Sequence, residues 1–295
     1  MAIIENENRH SAASRKALSY LKELCSSLDG FDFKSEKNGV KLYSRVVPGN
    51  PVDIVRGETV LKTTELSPRD LASMATEPGI RATWDEKFDT SELIEFFTPV
   101  ESLFWCRLKT PWPISNRDVS GVCLRDLEDD VCYISMSSVE DAKIPAKSGC
   151  VRANLMVSGW KFAKVESGVA ITYITQVDLA GSIPISFVKN VQQQVPLCAG
   201  TLAECAQTYG FPPYTVPGTA NVKMEHFDMS KRTYTVTLDG TEAEHRIVTS
   251  SKMYTSGVKV VIDGTASHQI VDDRNNKAVV ISGINDTIKV TISKV

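Results

Sequence analysis

The order of patterns along the chain constrains its fold more than any single motif. Two amphipathic helical stretches bracket eight strand-like runs with a short helix among them, and only after the second stretch does a proline-rich break interrupt the chain. The first helix is expected from Ser11, read as its cap, to Leu28, with Leu18, Leu21, Leu24, Cys25 and Leu28 on one face and Gly30 just beyond. A short helix is announced by Ser67-Pro-Arg-Asp70, which pairs an N-cap serine and an N1 proline with an acid three residues after the cap. The strand-like runs are Val40–Val47, Val52–Lys62, Ser91–Phe97, Ser102–Leu108, Arg117–Leu124, Val131–Val139, Val151–Phe162 and Val169–Leu179. A long helix is expected from Pro184 to Tyr209, because Val188, Val191, Val195, Cys198, Leu202, Cys205 and Tyr209 form one apolar stripe, with Pro196 kinking it. Many consecutive strands closed by a terminal helix read as an α+β domain whose antiparallel sheet the helix grips.

The break is Gly210-Phe-Pro-Pro-Tyr-Thr-Val-Pro-Gly218, with three prolines and two glycines in nine residues; every cysteine and tryptophan precedes it. The division expected is a domain over 1–209, a linker over 210–218 and a second domain over 219–295. Short runs such as Arg232–Leu238, Gly257–Ile262, Ala278–Ile281 and Thr287–Ser293 make the second domain a small all-β sandwich of about seven strands. It contains a weak internal echo, Val236–Val248 against Val260–Val271, each copy carrying Asp-Gly, which two similar hairpins would explain. His245 and His268 match within the echo, but two isolated strand histidines do not make a metal site, and no metal or other cofactor is expected.

Charge narrows the function. With 33 basic against 36 acidic residues and no basic run, the chain lacks the cationic field that nucleic acid requires. The polar start MAIIENENRH has no secretory pattern, and no apolar run is long enough to span a membrane. Seven cysteines without a CxxC spacing suggest reduced, buried thiols and a cytoplasmic location.

Thr83-Trp-Asp85, Trp112-Pro-Ile-Ser-Asn-Arg-Asp118, Val151-Arg152 leading to Gly159-Trp160, and Tyr173 followed by Asp178-Leu-Ala-Gly-Ser-Ile-Pro184 keep an order and spacing that resemble the START domain, the StAR-related lipid-transfer module, over about residues 12–209. The resemblance implies a helix-grip fold in which a curved antiparallel sheet encloses an apolar tunnel and the C-terminal helix forms a lid over one lipid. Alternation agrees: Val151, Ala153, Leu155 and Val157 are apolar where Arg152, Asn154 and Ser158 are polar, and Val169, Ile171, Tyr173, Val177 and Leu179 repeat the pattern. By itself the alternation fits a filled core equally; the resemblance favours a cavity.

In sterol- and ceramide-handling members, a buried acid and arginine, often with a further polar group, meet the ligand's head. The positions matching them here are Phe104, Cys123 and Leu155, none of them charged, and lid positions fall at Gln192, Val195, Ala199 and Ala203. With the stripe residues Cys106, Ala153, Val157, Ile171, Tyr173, Val188 and Leu202, these form the candidate lipid-contact set. Deep polar recognition is then expected to be weak and the ligand to be held by its hydrocarbon: a long-chain fatty acid, a phospholipid or a sterol. Arg117 and Asp118 are expected to pair and fix a turn, Asp85 and Asp178 to anchor loops, and Trp84 and Trp160 to lie in the core.

Catalysis has little to work with. His10 is the one histidine before residue 210, and no nucleophile elbow, zinc-helix or nucleotide-loop pattern occurs. The expectation is therefore a non-enzymatic carrier that contacts membranes transiently, with a helix-grip cyclase or thioesterase-like enzyme and a lipid-sensing adaptor as alternatives. The second domain has ten basic and nine acidic residues, so it is no cationic membrane adhesive, and a protein partner is the contact envisaged for it.

Overall fold

In a computed structural model the structure describes residues 8–181, 183, 188, 191, 194–216, 221–240 and 243–295. The first domain is built on a ten-stranded sheet. Its strands are β1 (Asp32–Lys37), β2 (Val40–Arg45), β3 (Ile54–Lys62), β4 (Phe88–Thr98), β5 (Glu101–Leu108), β6 (Asn116–Leu127), β7 (Val131–Ser138), β8 (Cys150–Arg152), β9 (Asn154–Val165) and β10 (Gly168–Asp178). Their order is β1-β2-β3-β10-β9-β7-β6-β5-β4; all neighbours are antiparallel, and β8 adds to β6 in parallel.

Helix α1 (Ser11–Ser26) covers one face of the sheet, burying Ala17, Leu21, Leu24 and Cys25 as its spacing requires. It is entered through His10, not capped by Ser11, and ends before Leu28. The other face, called inner here, is covered by α2 (Pro68–Thr76), α3 (Pro78–Trp84) and α4 (Cys198–Tyr209). The capping box at Ser67 forms as read: Ser67 N donates to Asp70 Oδ2 at 2.8 Å and Asp70 N to Ser67 Oγ at 3.3 Å. The long helix is not uniform. Pro196 lies in a 3-10 turn, Val195–Leu197, before α4 begins, as expected where a proline cannot donate to the preceding turn. That turn presses on β3 at Gly57, where a Cβ would collide with the Pro196 carbonyl.

Val151–Phe162 is not one strand: Ala153 divides β8 from β9. Within β9 the pairing with β10 shifts, Val157 opposing Gln176 and Leu155 opposing Val177, so Met156 is an extra residue in a bulge. The bulge reverses the facing of the residues beyond it. β1 escapes the sequence pattern because all six of its residues are exposed, and α3 because it has seven residues behind a glutamate cap.

The C-terminal part is a sandwich of two four-stranded antiparallel sheets. One holds β11 (Tyr214–Thr215), β14 (His245–Thr249), β17 (Asn276–Ser282) and β16 (Ser267–Asp273); the other holds β12 (Val222–Asp228), β13 (Thr233–Leu238), β18 (Ile288–Lys294) and β15 (Val258–Asp263). Eight strands thus replace the expected seven, and the eighth comes from the segment read as a linker. Residues 210–216 are built in: Phe211 is fully buried, and β11 pairs with β14. The echo is not two hairpins either. Each Asp-Gly carries the chain from one sheet to the other, β13 to β14 and β15 to β16.

The two parts share one core. Leu71, Met74, Ile80 and Trp84 of the first domain join Phe227, Tyr234, Ile247 and Ile292 of the sandwich in a single apolar cluster. Polar ties cross the junction as well. Tyr214 donates to Asp70 at 3.0 Å, Arg274 meets the same carboxylate at 3.3 Å, and Arg125 faces Glu225 at 3.8 Å.

Candidate functional site

The inner face follows from strand alternation. On β10, Val169, Ile171, Tyr173, Thr175 and Val177 point inward, as does Leu179 just past its end, while Ile174 packs under α1 with Leu21 and Ile54. On β9, Trp160, Ser158 and Leu155 share the inner face with their β10 partners. Val157 does not: beyond the bulge it packs beneath α1, so its assignment to the lipid-contact set is corrected, and Ser158, read as facing water, points inward and bonds Tyr173 Oη at 3.1 Å.

The remaining candidates divide by how much surface they keep. Cys106, Cys123, Ala153, Ile171, Tyr173, Ala199, Leu202 and Ala203 lie inward but are buried among their neighbours. Phe104, Leu155, Val188 and Val195 keep surface and are half-buried. Gln192 lies outside the described residues. Ala199 and Ala203, read as leaving room for a ligand, instead admit close packing of α4 against the core. A cavity of about 290 Å³, counted with the solvent at its mouth, lies between β3 with the residues before it, β10, and Val188, Val191 and Val195 ahead of α4; Val52, Asp53, Val55, Thr175, Val177 and Leu179 complete its lining.

Sequence reasoning missed the charge on this face. Arg81 Nε donates to Asp85 Oδ2 at 3.0 Å, and Nη2 stands 2.9 Å from the same oxygen, an i,i+4 pair on α3. Only 21% and 13% of the two side chains are exposed. The Arg81 guanidinium lies 4.9 Å from the Phe88 ring centroid and 5.9 Å from that of Trp84. The pair is near enough to inward-facing groups to weigh on their ionisation. Burial pushes the Cys106 thiol up to about 11, with Arg81 pulling it back. Burial likewise raises the Tyr173 phenol and, well above its ordinary value, the Cys198 thiol, with Asp85 raising both and Arg81 lowering both. These thiols are therefore neutral and unreactive near pH 7. Arg81 stays cationic and keeps an amino group, Nη1, without a hydrogen-bond partner among the described residues. The available signal was Pro78 at a helix N1 position with Arg81 and Asp85 four apart, but without a helix prediction it had nothing to act on.

Trp84 and Trp160 are core as expected, their rings edge to face at 5.8 Å, and Trp160 stacks on Tyr173 at 4.2 Å. Asp85 also accepts from Lys87 N at 3.1 Å, so it anchors a loop as well as Arg81. Asp178 accepts from Ala180 N at 2.9 Å, a strand-end anchor. Arg117 and Asp118 do not pair with each other. Arg117 donates to the Leu179, Ala180 and Ser115 carbonyls, while Asp118 receives Arg152 and, at 2.8 Å, the Trp105 indole. Arg117 thereby ties the end of β10 to the loop 109–115, at whose tip Trp112 is 93% exposed.

His10 contacts Asp141 at 2.7 Å and Phe97, away from the inner face. His245 is fully buried, its imidazole pKa pushed down to about 4 by desolvation, and His268 is exposed on β16. All seven cysteines are free thiols. Among the described residues no cluster of three or more His, Cys, Asp or Glu could hold a metal, and no helix is long and apolar enough to cross a membrane.

The family model for the START domain matches residues 17–208. Among solved structures the chain is similar to the human StAR-related lipid transfer protein 5, with 19% identity, a TM-score of 0.61 and coverage of 67% of this chain and 96% of that one. It is similar to human STARD10 at 20% identity and a TM-score of 0.59, covering 66% and 80% of the two chains. It also resembles a STAR-related lipid transfer protein fragment from Xanthomonas axonopodis at 27% identity and a TM-score of 0.50, covering 61% and 98%. A search of curated proteins finds no match. At these identities the two human structures speak for the fold alone.

Proposed function

Because the chain belongs to the START domain family, whose members bind lipids and sterols and transfer them, we propose that it holds one glycerophospholipid against the inner face of the sheet, with the phosphate meeting Arg81, and carries it between membranes. The observation behind this reading is the Arg81–Asp85 pair. An unpaired guanidinium on an apolar face costs several kcal/mol, and Asp85 removes most of that cost by holding one edge of it. Nη1 is left to donate to a ligand oxygen, and a charge-assisted bond of that kind contributes about 1.5–3 kcal/mol. A neutral sterol would offer the donor only an uncharged hydroxyl oxygen, without the charge-assisted share of the bond.

The hydrocarbon supplies the larger share. At about 0.8 kcal/mol per methylene, a sixteen-carbon chain contributes roughly 13 kcal/mol gross before ordering costs. The cavity lined by Val177 and Val195 has room for about one water molecule, so loading even one acyl chain requires Val188, Val191 and Val195 to move outward. Exposed Trp112, on the loop that Arg117 ties to the end of β10, supplies an amphipathic anchor for that step at a membrane surface. Proteins of this family are lipid-binding transfer modules and generally not enzymes.

A competition assay tests the reading. A pyrene-labelled phosphatidylcholine is bound, then displaced by unlabelled phosphatidylcholine, by the diacylglycerol with the same chains, by palmitate or by cholesterol. Phosphatidylcholine is expected to compete best, by about tenfold over the diacylglycerol. Equal competition by the two would remove the phosphate from the account, and stronger competition by palmitate or cholesterol would replace the ligand.

A further inference from the structure

Helix α3 stands at a junction of three parts of the molecule. Its N-terminal end is held by the sandwich: the buried Glu77 carboxyl accepts the Gly79 N–H at 3.1 Å and faces the backbone N–H of Phe227 on β12. Phe227 in turn lies so close that a Cβ at Gly79 would collide with its carbonyl. The C-terminal end is held by the lid helix, Thr201 Oγ1 donating to the Trp84 carbonyl at 2.7 Å. Between these ends the helix presents Arg81, with Asp85 at its C-cap. With only seven residues, α3 has too few internal hydrogen bonds to fix its own position, so its neighbours must fix it.

We infer that the C-terminal sandwich is a working part of the lipid site: by seating β12 against Gly79 and Glu77 it sets the position of α3, and with it the position of Arg81 toward the lipid head. The inference rests on the head-group reading above and adds Gly79 and Glu77 as positioning residues for it. A recognition group must be held to within about half an ångström to keep a charge-assisted bond. A tethered targeting module would not need a glycine at this contact, nor a core shared with the lipid domain.

The test uses the full chain and two labelled probes, phosphatidylcholine and the diacylglycerol with matching chains. Alanine is a better helix former than glycine, so local propensity alone predicts that Gly79→Ala leaves binding intact. The clamp predicts the opposite: α3 moves off β12, and preference for phosphatidylcholine over the diacylglycerol falls about fivefold while uptake of the diacylglycerol is unchanged. Arg81→Gln, run in parallel, abolishes the preference. If Gly79→Ala keeps the wild-type ratio while Arg81→Gln loses it, the clamp is wrong and the head-group reading stands. If Arg81→Gln keeps the ratio, the head-group reading fails and the inference with it.

Hydrogen exchange on the unmutated chain is the second measurement and decides the matter if Gly79→Ala does not fold. Loading phosphatidylcholine is expected to slow exchange in α3 and also at Glu225–Asp228 of β12, in the other domain. Protection confined to α3 and the inner face overturns the inference.

Discussion

The two faces of the ten-stranded sheet share their strands yet are finished differently. Beneath α1, Leu21, Leu24, Ile54, Val157 and Ile174 are each at most 1% exposed, and the buried guanidinium beside them, Arg56, is taken up by the Leu24 and Ser27 carbonyls and by Glu58. On the inner face, Phe104, Leu155 and Val177 keep surface and a charged pair stands at the edge. One sixteen-residue amphipathic helix can close a sheet face completely, whereas three shorter helices and a proline-broken segment leave room between them. The outer face carries stability; on the proposed reading, the inner face gives up some packing for a ligand.

The comparison breaks most easily on the outer face. Leu21→Ala should cost about 2–5 kcal/mol by urea titration, because its side chain is fully buried, while lipid selectivity in the folded fraction is unchanged. A shift in selectivity would mean that the faces are not separate. Val177→Trp should do the reverse: by filling the cavity it should cut lipid uptake by about tenfold or more, at a smaller stability cost of about 1–3 kcal/mol. Normal uptake would move the ligand elsewhere. Ala199→Trp, at a position the START resemblance placed on the lid, would overpack the closed core instead.

Two smaller effects sharpen the picture. Trp112→Ala should slow vesicle-to-vesicle transfer by about threefold to tenfold without weakening binding, read from pyrene de-quenching. The junction should also respond to pH. Burial, with Glu225 nearby, pushes the Glu77 carboxyl from its ordinary 4.5 up to about 8, against the backbone N–H groups and Arg125 that lower it. Between those values the folded chain holds a proton that the unfolded chain has released, so this group's contribution to stability declines as pH rises from about 4.5 to 8 and levels off above. Comparing urea midpoints of wild type and Glu77→Gln across this window should show a steeper decline in the wild type; identical profiles would mean that Glu77 ionises normally.

Much of this was legible in the sequence, for physical reasons that also mark where it stopped. Alternation located the long strands, the Ser67–Asp70 box located α2, and Pro196 marked the break before α4. The bulge at Met156 was not legible, because one inserted residue looks like continued alternation while it turns Val157 to the opposite face. Arg81 was missed with its seven-residue helix, and so the expectation of weak polar recognition considered strand positions alone. Composition around 210–218 signalled a linker, yet Phe211 and Tyr214 anchor that segment between the domains. No local pattern shows that a proline-rich stretch will be tied to a helix residue 144 positions away, as Tyr214 is to Asp70.

The central claim, a single phospholipid held on the inner face by Arg81 and its apolar surroundings, is tested most directly by native mass spectrometry of the 295-residue chain loaded from mixed vesicles of phosphatidylcholine, diacylglycerol, palmitate and cholesterol. The account predicts one phosphatidylcholine per chain in the wild type and loss of that preference in Arg81→Gln. Preferential loading of diacylglycerol, palmitate or cholesterol by the wild type would contradict it.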